Sequence, residues 1–127
     1  VISVHMNLTS DHKHSFTKET FAQMKKHPIF INEGRGEMVE EAALKWALDE
    51  GIIRGAGIDM LESEDPDLSK CVLIEDPPRK NLIINPHSGY WSATSDYLVR
   101  KYSMENAMNY VNGNLDAVHD IRNSVRK

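Results

Sequence analysis

The stretch that decides the fold is Pro28–Asp59, with the sequence PIFINEGRGEMVEEAALKWALDEGIIRGAGID. It contains a short apolar run, a polar loop with two glycines, an amphipathic stretch and a second apolar run. The amphipathic stretch predicts a helix over Met38–Glu50, because its apolar residues recur at the spacing of one helical face. Gly51 stands where a glycine commonly ends a helix. Strand, helix and strand in this order predict a βαβ unit with two parallel strands.

The same alternation continues on both sides of this unit. Apolar runs at near-constant spacing predict the strands Val1–His5, Ile29–Asn32, Gly55–Leu61 and Leu82–Asn85. Further helices are predicted over Lys18–Lys26, Ala93–Asn112 and Leu115–Arg126. Short apolar strands of this kind are typical of parallel sheets that are buried on both faces. The sequence therefore predicts an α/β fold around a parallel sheet.

The composition is that of a globular domain, with 127 residues, of which 40% are hydrophobic and 27% charged. No apolar run reaches the roughly 20 residues that span a bilayer, and the net charge is −4. We therefore expect neither a membrane nor a nucleic acid as a partner. The single cysteine, Cys71, excludes an internal disulfide and favours a reducing, cytoplasmic location. No metal is expected, because no further ligand accompanies His12 and His14.

The ends of the four predicted strands bring an arginine, carboxylates and a histidine to one edge, where ligands of open parallel sheets bind. Arg35, between two glycines, could clamp a carboxylate with two hydrogen bonds or be an ordinary surface arginine. His87 could be a general acid and base or a structural histidine. Glu64 could orient and charge that histidine, although its acidic segment also fits a solvated loop. Asp59 could accept a hydrogen bond from a ligand amide or cap a loop.

Several blocks of the sequence resemble the signatures of the D-isomer-specific 2-hydroxyacid dehydrogenases. Met24–Glu40, MKKHPIFINEGRGEMVE, resembles the family's strand followed by Asn and Arg-Gly. Gly55–Pro66, GAGIDMLESEDP, resembles the next block, and Ile84–Gly89, INPHSG, resembles the catalytic-histidine block. Val1–Thr9, VISVHMNLT, resembles the preceding strand, with Asn7 in place of the usual proline. The blocks follow the family's order over nearly the whole chain.

This resemblance implies a Rossmann-type, doubly wound parallel sheet that is incomplete, namely the C-terminal half of a dinucleotide-binding domain. Residues 1–92 would belong to that domain, and residues 93–127 would form a helical segment leading back toward a substrate domain. The family's Gly-x-Gly-x-x-Gly turn does not occur in the sequence. We therefore expect the chain to be the C-terminal portion of a longer protein and to be inactive alone.

The resemblance also implies roles for single residues. Arg35 would bind the substrate carboxylate, His87 would protonate the carbonyl oxygen, and Glu64 would keep His87 protonated. The cofactor would be NAD, with NADP left open because the ribose-reading acidic position lies outside the sequence. The residues implied to line the cofactor are Met6, Asn7, Glu33, Gly34, Arg35, Asp59, His87 and Gly89.

The implied function is hydride transfer between NAD(H) and a small D-2-hydroxy acid or 2-oxo acid, in a homodimer. An alternative is a nicotinamide-binding transcriptional corepressor of the same fold, which retains the arginine, glutamate and histidine. A third interpretation is an α/β fragment without activity. Saturable turnover of a 2-oxo acid would separate the first from the other two.

Overall fold

The computed structural model describes residues 1–63 and 67–118, and the chain divides into two compact units, Val1–Gly89 and Tyr90–Lys127. The first unit is a four-stranded parallel sheet in the order β1-β2-β3-β4. Its strands are β1 (Ile2–Val4), β2 (Ile29–Asn32), β3 (Gly55–Ile58) and β4 (Leu82–Ile84). Its helices are α1 (Lys18–Ala22) and α2 (Glu41–Asp49). The predicted α/β class is confirmed, as an incomplete Rossmann-type sheet.

The register of the ladders aligns the carboxyl ends of all four strands. Val4 pairs with Asn32, Asn32 with Ile58, and Ile58 with Ile84. These four residues form the last row of the sheet, so the segments that follow them leave from one edge. This edge is where an open parallel sheet places its ligands.

The core lies between the sheet and the two helices. The predicted stripe of α2 is fully covered, and its buried members are Ala43, Leu44, Ala47 and Leu48. Phe30 of β2 contacts the rings of Phe16 and Phe21, with centroids 5.0 and 5.2 Å away. Aromatic packing at these distances stabilises the contact between α1 and the sheet. The other face of the sheet is more open in this chain, since Ser3 and Ile83 are exposed.

Two helix boundaries differ from the sequence prediction. The first helix ends at Ala22, with Gln23 as its C-cap, and cannot extend to Lys26, because Lys26 and His27 adopt positive φ angles of 67° and 45° before Pro28. The residue before a proline is disfavoured in a helix. The second helix begins at Glu41 and not at Met38, because Gly36–Met38 forms a 3-10 turn. The expected glycine end is confirmed, with Gly51 at φ 66°.

The second unit contains the helix α3, Ala93–Val111, which agrees closely with the predicted Ala93–Asn112. Ser92 and Ser95 form a reciprocal capping box at its start. None of its residues is buried among the residues that the structure describes, so the predicted apolar face is not part of a core there. Of the helix predicted over Leu115–Arg126, the structure describes a 3-10 turn at Leu115–Ala117, and residues 119–127 lie outside the described part. No helix among the described residues is long and apolar enough to cross a membrane.

Candidate active site

The loop after β2 carries Arg35 and is held to the sheet by Asn32. The Asn32 side chain is only 1% exposed. Its Oδ1 accepts from the N–H of Gly34 at 3.0 Å, and its Nδ2 donates to the carbonyl of Arg35 at 3.1 Å. A Cβ on Gly34 would lie 3.2 Å from the Met6 carbonyl oxygen, so the segments that follow β1 and β2 lie side by side.

Arg35 projects from this loop with an exposed side chain. Its Nη1 lies 3.4 Å from the Gly34 carbonyl oxygen and 3.7 Å from Sδ of Met60. Met60 follows the end of β3, so the guanidinium reaches along the carboxyl edge toward the next strand. An exposed guanidinium in this place can bind a carboxylate through two parallel hydrogen bonds.

Gly36 fixes the distance between the Arg35 loop and the segment that follows β3. A Cβ on Gly36 would lie 2.0 Å from the Leu61 carbonyl oxygen, so only glycine fits here. The Glu62 N–H donates to Glu41 at 2.9 Å, and the Glu62 carboxylate lies 2.7 Å from Nε2 of His14. Residues 61 and 62 are therefore anchored on both sides. Glu64, predicted to be catalytic, lies outside the described residues.

Asp59, directly after β3, organises the turn that carries His87. Its carboxylate is 5% exposed and accepts from the N–H of Ser88 at 2.9 Å and of Gly89 at 2.9 and 3.0 Å. Its backbone carbonyl accepts from the His87 N–H at 2.8 Å. Three consecutive amides of the turn are thus bound by one residue, so Asp59 does cap a loop.

His87 itself is exposed and has φ 51°. A histidine in the left-handed region is uncommon and persists where the surroundings hold it. Here the bonds to Asp59 hold it. Gly89, two residues on, lies under two carboxylates: a Cβ there would be 2.5 Å from Oε2 of Glu33 and 2.9 Å from Oδ2 of Asp59. Glu33 and Asp59, which directly follow the neighbouring strands β2 and β3, therefore meet at this glycine.

An open pocket of about 800 Å³ lies beside the His87 turn. Asp59 and His87 line it together with a mostly apolar wall that includes Leu61, Leu68, Leu73, Leu82 and Ile84. Met6 and Asn7, predicted to line a cofactor, are exposed at the β1 end of the same edge. The structure therefore brings Arg35, Asp59, His87 and their neighbours to one edge.

Sequence reasoning missed two residues that hold this edge. Asn32 had a readable signal, since an asparagine two residues before a glycine commonly bonds the backbone ahead of it. Glu41 had none, because its partner Glu62 is distant in sequence. Glu41 also accepts from the Cys71 thiol at 3.5 Å. Burial, followed by the Glu41 carboxylate, raises the pKa of Cys71, as expected for a thiol with no role as a nucleophile.

The arrangement defines a class: a Rossmann-type domain with polar groups on the carboxyl edge. Comparisons with known proteins identify the family within this class. Residues 1–89 match the family described as D-isomer specific 2-hydroxyacid dehydrogenase, NAD binding domain. The chain belongs to this family.

Individual relatives and solved structures support this family membership. The chain is 36% identical over 113 residues to a glycerate dehydrogenase of Methylorubrum extorquens, covering 89% of this chain and 35% of that protein. The D-lactate dehydrogenase of Lactobacillus jensenii, solved with NAD+, superimposes with a TM-score of 0.75 and 33% identity, over 88% of this chain and 36% of that one. The Aquifex aeolicus D-lactate dehydrogenase, solved with NAD and lactic acid, gives a TM-score of 0.78 and 26% identity, over 92% and 38%. The chain thus spans about a third of the length of the relatives it matches.

Proposed function

We propose that this chain carries the oxo-acid site of an NAD-dependent D-2-hydroxyacid dehydrogenase, which transfers a hydride between NAD(H) and a small 2-oxo or D-2-hydroxy acid. One observation carries the proposal. An exposed arginine after β2, a buried aspartate after β3 and a histidine after β4 leave from a single row of the sheet. Membership of the dehydrogenase family supports the reaction class.

In the proposed reduction, the Arg35 guanidinium binds the carboxylate of the oxo acid and draws electron density from the adjacent carbonyl. The His87 ring donates a proton to the carbonyl oxygen, which becomes the hydroxyl of the product. Glu64 is assigned the role that the family resemblance implies for it, as the carboxylate partner of His87. NADH, when bound, supplies the hydride. In the reverse direction His87 takes the hydroxyl proton.

The residues of the edge fit the nicotinamide end of the cofactor. Asp59 presents a carboxylate that already binds amide N–H groups, and its remaining lone pairs can accept from a carboxamide. A Cβ on Gly34 would lie 3.2 Å from the Met6 carbonyl oxygen, so the segments after β1 and β2 lie close together, with Asn7 exposed beside them. We assign Met6 and Asn7 to the adenosine side, and Glu33, Gly34 and Gly89 to the nicotinamide side. NADP stays open as the alternative, since a related structure was solved with NADPH.

The test is made on the whole protein in which this chain occurs. NADH oxidation is followed with pyruvate, hydroxypyruvate, glyoxylate and longer 2-oxo acids. We expect saturable turnover with at least one of them. His87→Gln should lower kcat by about 10²–10⁴-fold, and Arg35→Lys should raise the oxo-acid KM about tenfold or more. His87→Gln should leave the binding of NADH largely intact.

Two results would reject the proposal. Near-normal turnover of His87→Gln would show that His87 is not the proton donor of the reaction. Tight NADH binding without turnover of any 2-oxo acid would instead favour a nicotinamide-sensing corepressor of the same fold.

The proposal also places residues 1–92 in the nucleotide-binding domain and residues 93–127 in a segment leading toward a substrate domain. It further includes a homodimer, which the family resemblance alone supports, and a cytoplasmic location, which the single cysteine supports. Sedimentation of the whole protein tests the dimer, and imaging of a fluorescent fusion tests the location.

A further inference from the structure

We infer that Asn32 is a positioning residue for Arg35, an inference that rests on the proposed role of Arg35. Asn32 is the last residue of β2 and belongs to the most deeply buried side chains, at 1% exposure. Burying a side-chain amide is unfavourable unless its polar atoms are hydrogen-bonded. The two partners of Asn32 therefore show what the residue does.

Both partners lie in the loop that carries Arg35. Oδ1 accepts from the Gly34 N–H at 3.0 Å, and Nδ2 donates to the Arg35 carbonyl at 3.1 Å. The two bonds bracket the Gly34–Arg35 dipeptide, so they set the position and direction of the arginine Cα. The Arg35 carbonyl also accepts from the Met38 N–H at 3.2 Å, and the guanidinium makes flexible contacts with the Gly34 carbonyl and Met60.

Asn32 is in turn fixed by the sheet. It pairs with Val4 on one side and Ile58 on the other. Its backbone carbonyl accepts from the Asp59 N–H at 3.0 Å. The same residue thus connects the Arg35 loop to the start of the segment that organises His87. This is the arrangement expected of a group that transmits the rigidity of a strand to a binding loop.

No other side chain of this size supplies the same pair of bonds. Aspartate keeps the acceptor for Gly34 but sets a second oxygen against the Arg35 carbonyl. Leucine has no polar side-chain atom, so the Gly34 N–H and the Arg35 carbonyl would both lose the hydrogen bond that the Asn32 amide makes. Threonine offers one hydroxyl, which is shorter and serves one partner well at a time.

The consequence for binding is preorganisation. A guanidinium on a loop that is already ordered binds a carboxylate without the entropic cost of ordering that loop. Loss of the Asn32 amide should therefore weaken binding of the oxo acid more than binding of NADH, which under the proposed function also contacts residues that follow the other strands.

The experiment compares Asn32→Asp with Asn109→Asp in the whole protein. Asn109 is the matched control, because its amide also donates to a backbone carbonyl, that of Ala117 at 3.1 Å, on a helix of the second unit. We expect Asn32→Asp to raise the oxo-acid KM about tenfold or more and the Kd of NADH by a clearly smaller factor. Added to Arg35→Lys, it should raise KM little further, since the two residues act as one. Asn109→Asp should leave KM unchanged.

A second measurement needs no activity. Hydrogen exchange of the Gly34 amide should be faster in Asn32→Asp than in the wild type. If Asn32→Asp fails to fold, both measurements are made on Asn32→Thr, with the same expectations.

An unchanged KM together with unchanged Gly34 exchange would overturn the inference. The inference would also be overturned if the double variant raised the oxo-acid KM by the product of the factors found for Asn32→Asp and Arg35→Lys alone. If the wild-type protein reduces no 2-oxo acid, the proposed function fails, whereas faster Gly34 exchange still shows that Asn32 holds the loop.

Discussion

The Gly89 N–H donates to both carboxylate oxygens of Asp59, at 3.0 and 2.9 Å. The Ser88 N–H donates to the same carboxylate at 2.9 Å, and Asp59 is only 5% exposed. A buried carboxylate that accepts backbone N–H groups forms strong, charge-assisted hydrogen bonds. The position of His87 therefore depends on the charge of Asp59, which follows the neighbouring strand β3.

Replacing Asp59 by asparagine should loosen this turn. The amide has one acceptor oxygen, and its NH2 group would face the N–H groups of Ser88 or Gly89. We expect a loss of about 1–3 kcal/mol in the free energy of unfolding, measured in urea, and a shift of the His87 ring signals by NMR. Asp67→Asn is the control, because exposed Asp67 also accepts an N–H, from Ser69 at 3.2 Å. Equal stability of the Asp59 and Asp67 variants would contradict the role given to Asp59.

Gly36→Ala should separate the Arg35 loop from the segment after β3. Its Cβ would lie 2.0 Å from a backbone carbonyl oxygen, which cannot move aside as a side chain can. We expect a destabilisation of at least about 1–3 kcal/mol, measured by urea unfolding. Gly57→Ala is the milder control, since its Cβ would meet only the Cδ1 of Ile31, at 3.2 Å. The account fails if Gly36→Ala is no less stable than Gly57→Ala.

Acid should weaken the ion pairs that join α2 to the segment before β4. Arg79 lowers the pKa of Asp49, and Lys45 followed by Arg79 lowers that of Glu75. A carboxyl whose folded pKa is lowered stabilises the fold above its unfolded pKa, near 4, and the contribution disappears as pH falls through the folded value. The stability difference between the wild type and Arg79→Gln should be largest above about pH 5 and shrink below about pH 4.

Urea unfolding at several pH values measures this difference. Lys70→Gln is the matched control, because Lys70 is 77% exposed and lies 3.7 Å from Asp67 in a solvated pair. Such pairs contribute little. A difference for Arg79→Gln that stayed constant with pH would show that its ion pairs do not carry the effect.

Cys71 should react slowly at neutral pH. Burial and the Glu41 carboxylate raise its pKa, so the thiolate fraction is small. We expect the pH at which alkylation by iodoacetamide accelerates to be higher for the folded protein than for the urea-unfolded chain. Glu41→Gln should bring the inflection back toward the unfolded value. An inflection at or below that of the unfolded chain would refute this assignment.

Much of the fold follows from local pattern. The spacing of apolar runs predicts all four strands, and the glycine at position 51 predicts the end of α2. Boundaries are harder, because they depend on contacts from elsewhere: Gly36 packs on Leu61, and the chain forms a 3-10 turn where a helix is predicted. Such a contact is invisible until the sheet is assembled.

The candidate site divides in the same way. Arg35, Asp59 and His87 could be predicted at one edge, because parallel strands end on the same side. The bonds of Asp59 to the His87 turn could not, since they join groups on different strands. The assignments of Arg35, Glu64 and His87 to catalysis, and of the neighbouring residues to cofactor binding, stay predictions that the kinetic variants will decide.

The common last row of the sheet, from Val4 to Ile84, has a consequence for how such a chain can vary. Every group of the candidate site is attached just beyond that row, whereas the turns at the opposite rim, such as residues 51–54, contribute nothing to it. Within this turn, Ile53 is fully buried and the Arg54 N–H donates to the Pro28 carbonyl at 3.1 Å, so both must be kept, whereas a Cβ on Gly51 would meet open space. A peptide tag or reporter loop for this protein is therefore best inserted at Gly51, away from the groups of the candidate site.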